Sequence, residues 1–167
     1  GSYVPKTTSQ TKALFELTDI APIEVKVEEL LDDDKRNGEI ERVVALTNDT
    51  LGSGTDAAIF TSRSLVTGKD AASSLEIGRI VSDSLVEIVS SITHQPRYLV
   101  AKGGVTSSDI ATKALGILRA VVIGQALPGV PALRCGEETR YPGMTYIIFP
   151  GNVGEDDALA RIVKKVN

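Results

Sequence analysis

Apolar side chains recur along 77–92 at Ile77, Val81, Leu85, Ile88 and Ile92, at steps of 4, 4, 3 and 4. That spacing draws one apolar stripe along a rod and predicts the longest helix of the chain. Ile40, Val43, Val44 and Leu51 predict another, stopped near Gly52 and Gly54. A third, closing helix carries Leu159, Ile162, Val163 and Val166 on one face, with Glu155, Asp156 and Asp157 before it and Lys164 and Lys165 late, as the helix dipole favours. A short amphipathic run through Leu14 and Leu17 starts the chain, with Thr7, Thr8 or Ser9 as its cap. Between the helical stretches lie short strand-like runs. Ile23–Val27 alternates at period two, whereas 57–62, 98–101, 118–123 and 146–149 are continuous apolar runs of buried-strand type. Pro128–Pro131 reads as a turn, and 132–142 as irregular and polar at its centre.

Strands alternating with helices predict an α/β fold: a mainly parallel sheet flanked by helices in three layers, as a single domain over 1–167. Composition sharpens this. Aromatics are 4% with no Trp, so Val, Ile, Leu and Ala must build the core, as in buried parallel strands. The net charge of −4 and the shortage of stacking side chains argue against a nucleic-acid partner. No stretch approaches the ~20 apolar residues of a membrane span, and no signal peptide opens the chain. One cysteine, Cys135, allows no internal disulfide, so a cytoplasmic setting is expected. A homo-oligomer stays open on these grounds.

Candidate chemistry concentrates at two glycine-rich strand exits. The run Tyr98–Ala101 passes through Lys102 into Gly103-Gly104-Val105-Thr106-Ser107, with a helical pattern from Ser108. The run to Phe149 passes into Pro150-Gly151-Asn152-Val153-Gly154 before the last helix. A strand that turns through glycines into a helix start aims free N–H groups at one point, which suits a phosphate. Two such exits suggest loops converging at the carboxyl edge of a sheet. On this reading the N–H groups of Val105 to Ser108 donate to phosphate oxygens, with Thr106 or Ser107 adding a hydroxyl. Lys102 is either a phosphate charge or a solvated edge residue. Asp109 is either an acid of the helix start or a Mg²⁺ ligand through water.

The chain has no P-loop, and Gly52-Ser53-Gly54 follows a helix instead of a strand, which excludes a dinucleotide fingerprint. The remaining residues read blandly. His94 is a partner for a helix end, Cys135 has no His beside it in sequence, and Glu137-Glu138 and Asp32-Asp33-Asp34 are solvated loops.

Four phrases, Gly1-Ser2-Tyr3-Val4-Pro5-Lys6-Thr7-Thr8, Ala101–Ser107, Pro128-Gly129-Val130-Pro131 and Phe149–Gly154, together resemble the C-terminal, nucleotide-binding domain of the four-carbon acid sugar kinase family. The resemblance implies the ATP-binding half of a two-domain kinase that phosphorylates a hydroxyl of a threonate- or erythronate-type acid, with ATP and Mg²⁺ as cofactors. It implies that the sugar acid is held by an N-terminal domain absent from this chain. Ser2, Gly103, Gly104, Val105, Thr106, Ser107, Gly151, Asn152 and Gly154 then contact nucleotide, Thr61 and Ser62 line the cleft, and the catalytic residue is unassigned. Cys135–Gly143 departs from the simpler family members and resembles the version found at the end of larger polypeptides. That keeps an alternative alive: a non-catalytic module of a multi-domain enzyme that binds nucleotide or another phospho-ligand.

Overall fold

The computed structural model describes residues 5–62 and 70–166. These divide into two compact units, one formed by the described residues of 21–94 and the other by 5–20 together with 95–166. Within the described residues no helix is long and apolar enough to cross a membrane.

The first unit holds β1 (Ala21–Val25), α2 (Val27–Leu31), α3 (Arg36–Gly52), β2 (Ala57–Thr61) and α4 (Ala71–Ser91). Its two strands pair in parallel from Ala21↔Ala57 to Val25↔Thr61. The predicted α4 stripe points inward: Val81, Leu85, Ile88 and Ile92 are buried, as are Val25, Val27, Leu30, Ile40 and Val43. Asp70 caps α4 by accepting from the Ser73 N–H, and Ser73 returns the bond to Asp70.

One buried carboxylate ties α3 to the β1 exit. Glu39 accepts from the Lys26 N–H at 2.7 Å and from Arg42 Nε and Nη2 at 2.8 and 2.7 Å. Burial pushes its pKa up, but the Arg42 and Lys26 hydrogen bonds outweigh that and hold it below the ordinary 4.5. A depressed carboxylate stabilises fully above its unfolded value and loses its contribution as pH falls through the folded one. Glu39→Gln is therefore expected to lower stability at pH 7 and to blunt the acid sensitivity below pH 4.5. Urea unfolding of both proteins at pH 7 and pH 3 checks this; a parallel acid loss in both would refute it.

The second unit holds α1 (Pro5–Leu17), β3 (Tyr98–Lys102), α5 (Gly104–Asp109), a π-helical turn (Ile110–Ala114), β4 (Ala120–Leu127), β5 (Val130–Cys135), β6 (Thr145–Phe149) and α6 (Ala158–Val166). Its sheet has the order β3-β6-β5-β4. β3 and β6 pair in parallel, whereas β5 pairs antiparallel with both β6 and β4. The α/β character is as expected, but this sheet is mixed in direction.

The antiparallel arm comes from β5, whose residues fall partly in the expected 128–131 turn and partly in the expected irregular stretch 132–142. There Val130, Ala132 and Cys135 are buried, with Pro131 and Leu133 half-buried and Arg134 exposed between them, while Pro131 and the polar run that follows mask the alternation. The helix after β3 also starts four residues earlier than predicted, at Gly104. Ala126, Val130, Ala132, Ile147, Phe149, Ala158 and Ile162 form one apolar cluster under α6. The outer strand β4 shows Val121, Val122 and Ile123 at 65%, 70% and 43% exposure, so its apolar run marks a strand but not a covered one.

Candidate functional site

Both glycine exits leave neighbouring parallel strands at the same end. β3 and β6 run in register to Lys102↔Phe149, and the Gly103 N–H continues the ladder to the Phe149 carbonyl at 2.9 Å. Adjacent strands lie about 4.8 Å apart, so the two turns begin side by side. Gly103 has φ +108, a conformation open only to glycine in practice, and it turns the chain into α5.

The first turn of α5 leaves the N–H groups of Gly104, Val105 and Thr106 without an intrahelical acceptor. The Ser107 N–H bonds the Gly103 carbonyl at 2.9 Å, so the free set is Gly104–Thr106 instead of the predicted Val105–Ser108. Gly104 has an ordinary φ, and a Cβ built on it meets nothing within 4 Å. Nothing in the fold demands glycine there, so that open space suits a ligand approaching the backbone. Val105 is 71% exposed beside it. Ser107 faces the other way: it is buried, its hydroxyl donates to the Gly104 carbonyl at 3.0 Å, and its own carbonyl accepts the Tyr146 hydroxyl at 2.6 Å. Burial and the Cys135 thiol push the Tyr146 pKa far up, so the phenol stays a donor that braces the loop from below.

The second exit is held by its carbonyls. Lys102 Nζ donates to Pro150 O at 3.1 Å and Gly151 O at 3.3 Å, and Thr7 Oγ1 reaches Gly151 O at 3.4 Å. From α1, Lys6 Nζ donates to Gly154 O at 3.1 Å, while Gln10 Nε2 reaches Val153 O and Glu155 O at 3.0 and 2.9 Å and Gly154 O at 3.4 Å. Gly151 and Asn152 sit in a turn closed from Val153 back to Pro150, and among the described residues the N–H groups of Gly151, Asn152 and Gly154 donate no hydrogen bond. The loop thus turns its acceptors towards side chains and leaves these donors uncommitted, as an anion requires. Asn152 is exposed at its crest. Gly154 has a structural reason of its own: φ is +80, and a Cβ there would lie 2.6 Å from Ala158 Cβ.

Sequence reasoning missed the donors from α1. A signal existed, because Thr7, Gln10 and Leu14 are spaced as one helix face and all three are buried. The hairpin turn 128–131 also reaches this end, where a Cβ on Gly129 would sit 3.7 Å from Val153.

Other expected positions fall elsewhere. Ser2 lies outside the described residues. Thr61 and Ser62 belong to the first unit, at the carboxyl end of β2; Ser62 Oγ accepts the Val27 N–H at 3.1 Å, and the buried Thr61 hydroxyl has no partner among the described residues. Asp109 pairs with Lys113 at 3.0 Å, and no group of three metal-ligating side chains occurs among the described residues. The backbone N–H of His94 donates to Asn48 at 3.0 Å. Cys135 is buried, and burial with Glu138 nearby pushes its thiol pKa up, away from nucleophilic use.

A family profile for nucleotide-binding C-terminal domains matches residues 1–159. The chain belongs to that family. This is the domain to which the resemblance to four-carbon acid sugar kinases pointed. No curated protein matches the sequence significantly.

Among solved structures, the fold is similar to a Haemophilus influenzae protein of the DUF1537 family, with TM-score 0.77, 18% identity and 100% of this chain covered. It is also similar to a Bordetella bronchiseptica DUF1537 protein crystallised with citrate as a domain-swapped dimer, with TM-score 0.73, 20% identity and 99% coverage. A Salmonella typhimurium LT2 protein, provisionally described as a tRNA synthase, matches with TM-score 0.75, 18% identity and 99% coverage. The chain spans 39% of the length of each of these proteins.

Proposed function

We propose that this chain is the ATP-holding part of a kinase that phosphorylates a hydroxyl of a four-carbon acid sugar of the threonate or erythronate type. The sugar acid would be held by a domain outside these residues. The observation that carries the reading is the pairing of two glycine exits on adjacent parallel strands, each with uncommitted N–H groups. Gly104, Val105, Thr106, Gly151 and Asn152 are the proposed phosphate contacts. Gly103, Ser107 and Gly154 shape the loops around them.

Phosphoryl transfer asks a protein mainly for in-line placement and neutralised charge. Backbone donors and the Lys102 ammonium supply both to a polyphosphate tail. Mg²⁺ binds few protein carboxylates and takes substrate phosphates as ligands. The described side chains do not fit a resident Mg²⁺, since Asp109 is paired with Lys113, so the ion is assigned to the nucleotide and not to this chain.

The isolated chain is expected to bind ATP weakly and to turn over no threonate or erythronate. Titration of labelled protein with a non-hydrolysable ATP analogue should shift the amides of Gly104, Val105, Thr106, Gly151 and Asn152. Shifts confined to other residues would reject the proposal, and phosphorylation of threonate by this chain alone would reject the division of labour.

A further inference from the structure

Two loops on neighbouring strands can grip one ligand only if something holds them at a fixed spacing. Lys102 occupies that junction. It is the last residue of β3, directly before Gly103, and it faces Phe149 in register. Its Nζ lies 3.9 Å from the Phe149 ring centroid, close enough for a cation–π contact, while donating to the carbonyls of Pro150 and Gly151. Among the described residues no carboxylate pairs with it, and the charged group acting on it is Lys6, from α1. One ammonium therefore contacts the end of β6 and two carbonyls of the second exit while the backbone of the same residue begins the first.

We infer that Lys102 is the positioning residue of this site, fixing the Pro150–Gly151 exit against the Gly103–Gly104 exit and presenting positive charge to an anionic ligand between them. The inference rests on the nucleotide reading for the identity of that ligand, but the coupling of the two loops does not depend on it. A solvated lysine at a strand edge would do neither. Among its acceptors are only carbonyl oxygens, so its charge is not cancelled by an ion pair.

Burial, and then repulsion from Lys6, push the Lys102 pKa down to about 8. The amine is thus charged at neutral pH and loses its proton within reach of an ordinary titration. A bound anion favours the charged form, so affinity is highest below pH 8 and falls as pH rises past it. If binding requires the charged amine, the loss between pH 7 and pH 9 is about tenfold.

The test uses the full chain without ligand and then with ATP. In the ligand-free protein the amides of Gly104 and Gly151 should titrate together with a midpoint near pH 8. Lys102→Met should abolish that titration, and Lys6→Met should move its midpoint upwards by removing the repulsion. With ATP, the wild type should lose about tenfold in affinity from pH 7 to pH 9. Lys102→Met should be weaker at pH 7 and flat with pH, and Lys102→Arg should restore binding at pH 9. Amides that do not titrate, or a Lys102→Met variant with the wild-type profile, would overturn the inference. A wild type that titrates but binds no ATP would instead reject the nucleotide reading and leave the loop coupling supported.

Discussion

Gly104→Val is expected to leave the fold standing and to weaken nucleotide binding by about 100-fold. Gly104 opens α5 with an ordinary φ, and a Cβ there meets nothing within 4 Å, so a side chain can start from this position without a clash. At the first helical position a β-branched residue costs at most a few tenths of a kcal/mol. The same group would fill the space in front of the free N–H groups of Gly104, Val105 and Thr106. Losing one or two charge-assisted hydrogen bonds, each worth about 1.5–3 kcal/mol, corresponds to that factor. Calorimetry with ATP and thermal unfolding of the variant decide the matter together. Unchanged affinity with unchanged stability would mean that the turn is empty in function.

The opposite outcome is expected for Gly154→Ala, which should destabilise the protein by about 2–5 kcal/mol. A left-handed φ of +80 costs an L-residue about 1–2 kcal/mol. The new methyl would also lie 2.6 Å from Ala158 Cβ, a distance no rotamer can relieve because both atoms are fixed to backbone. Relief requires moving the start of α6 or the loop, and overpacking of this kind costs about 1–3 kcal/mol. In a chain of this size the sum lowers Tm by roughly 5–15 °C. A thermal scan showing less than about 2 °C of change would mean that the loop yields freely. The two glycines look alike in the sequence, yet one leaves room for a ligand and the other leaves room for a helix.

The parts of this fold that were legible in sequence are those whose periodicity matches their burial. The Ile77–Ile92 stripe, the Thr145–Phe149 strand and the closing helix all have one apolar face that ends up inside. Both glycine exits were legible as turns because glycines directly after an apolar run mark a strand end. β5 was not, because Pro131 and Arg134 interrupt an alternation that only the pairing with β6 reveals. The start of α5 was missed because Gly-Val-Thr-Ser is a poor helix former, and Gly103 with the Tyr146 brace supplies what propensity lacks. The clasp by Lys6, Thr7 and Gln10 was invisible for a different reason: side-chain bonds to carbonyls about 145 residues away leave no local pattern. Lys102 could be read only as a charge of undecided use until its carbonyl partners were in view.

The rim that gathers 5–10, 102–107, 128–131 and 149–155 has a consequence for synthesis. No excised peptide carrying one glycine turn holds the other, so a fragment such as 98–112 has no reason to capture phosphate. A ribosome that has translated as far as β5 has made the first turn, its Lys and the α1 donors, but not the strand that brings them together. Ligand capture must therefore wait for β6 and the turn after it to emerge, and a chain truncated before β6 is expected to be blind to nucleotide and not merely weakened.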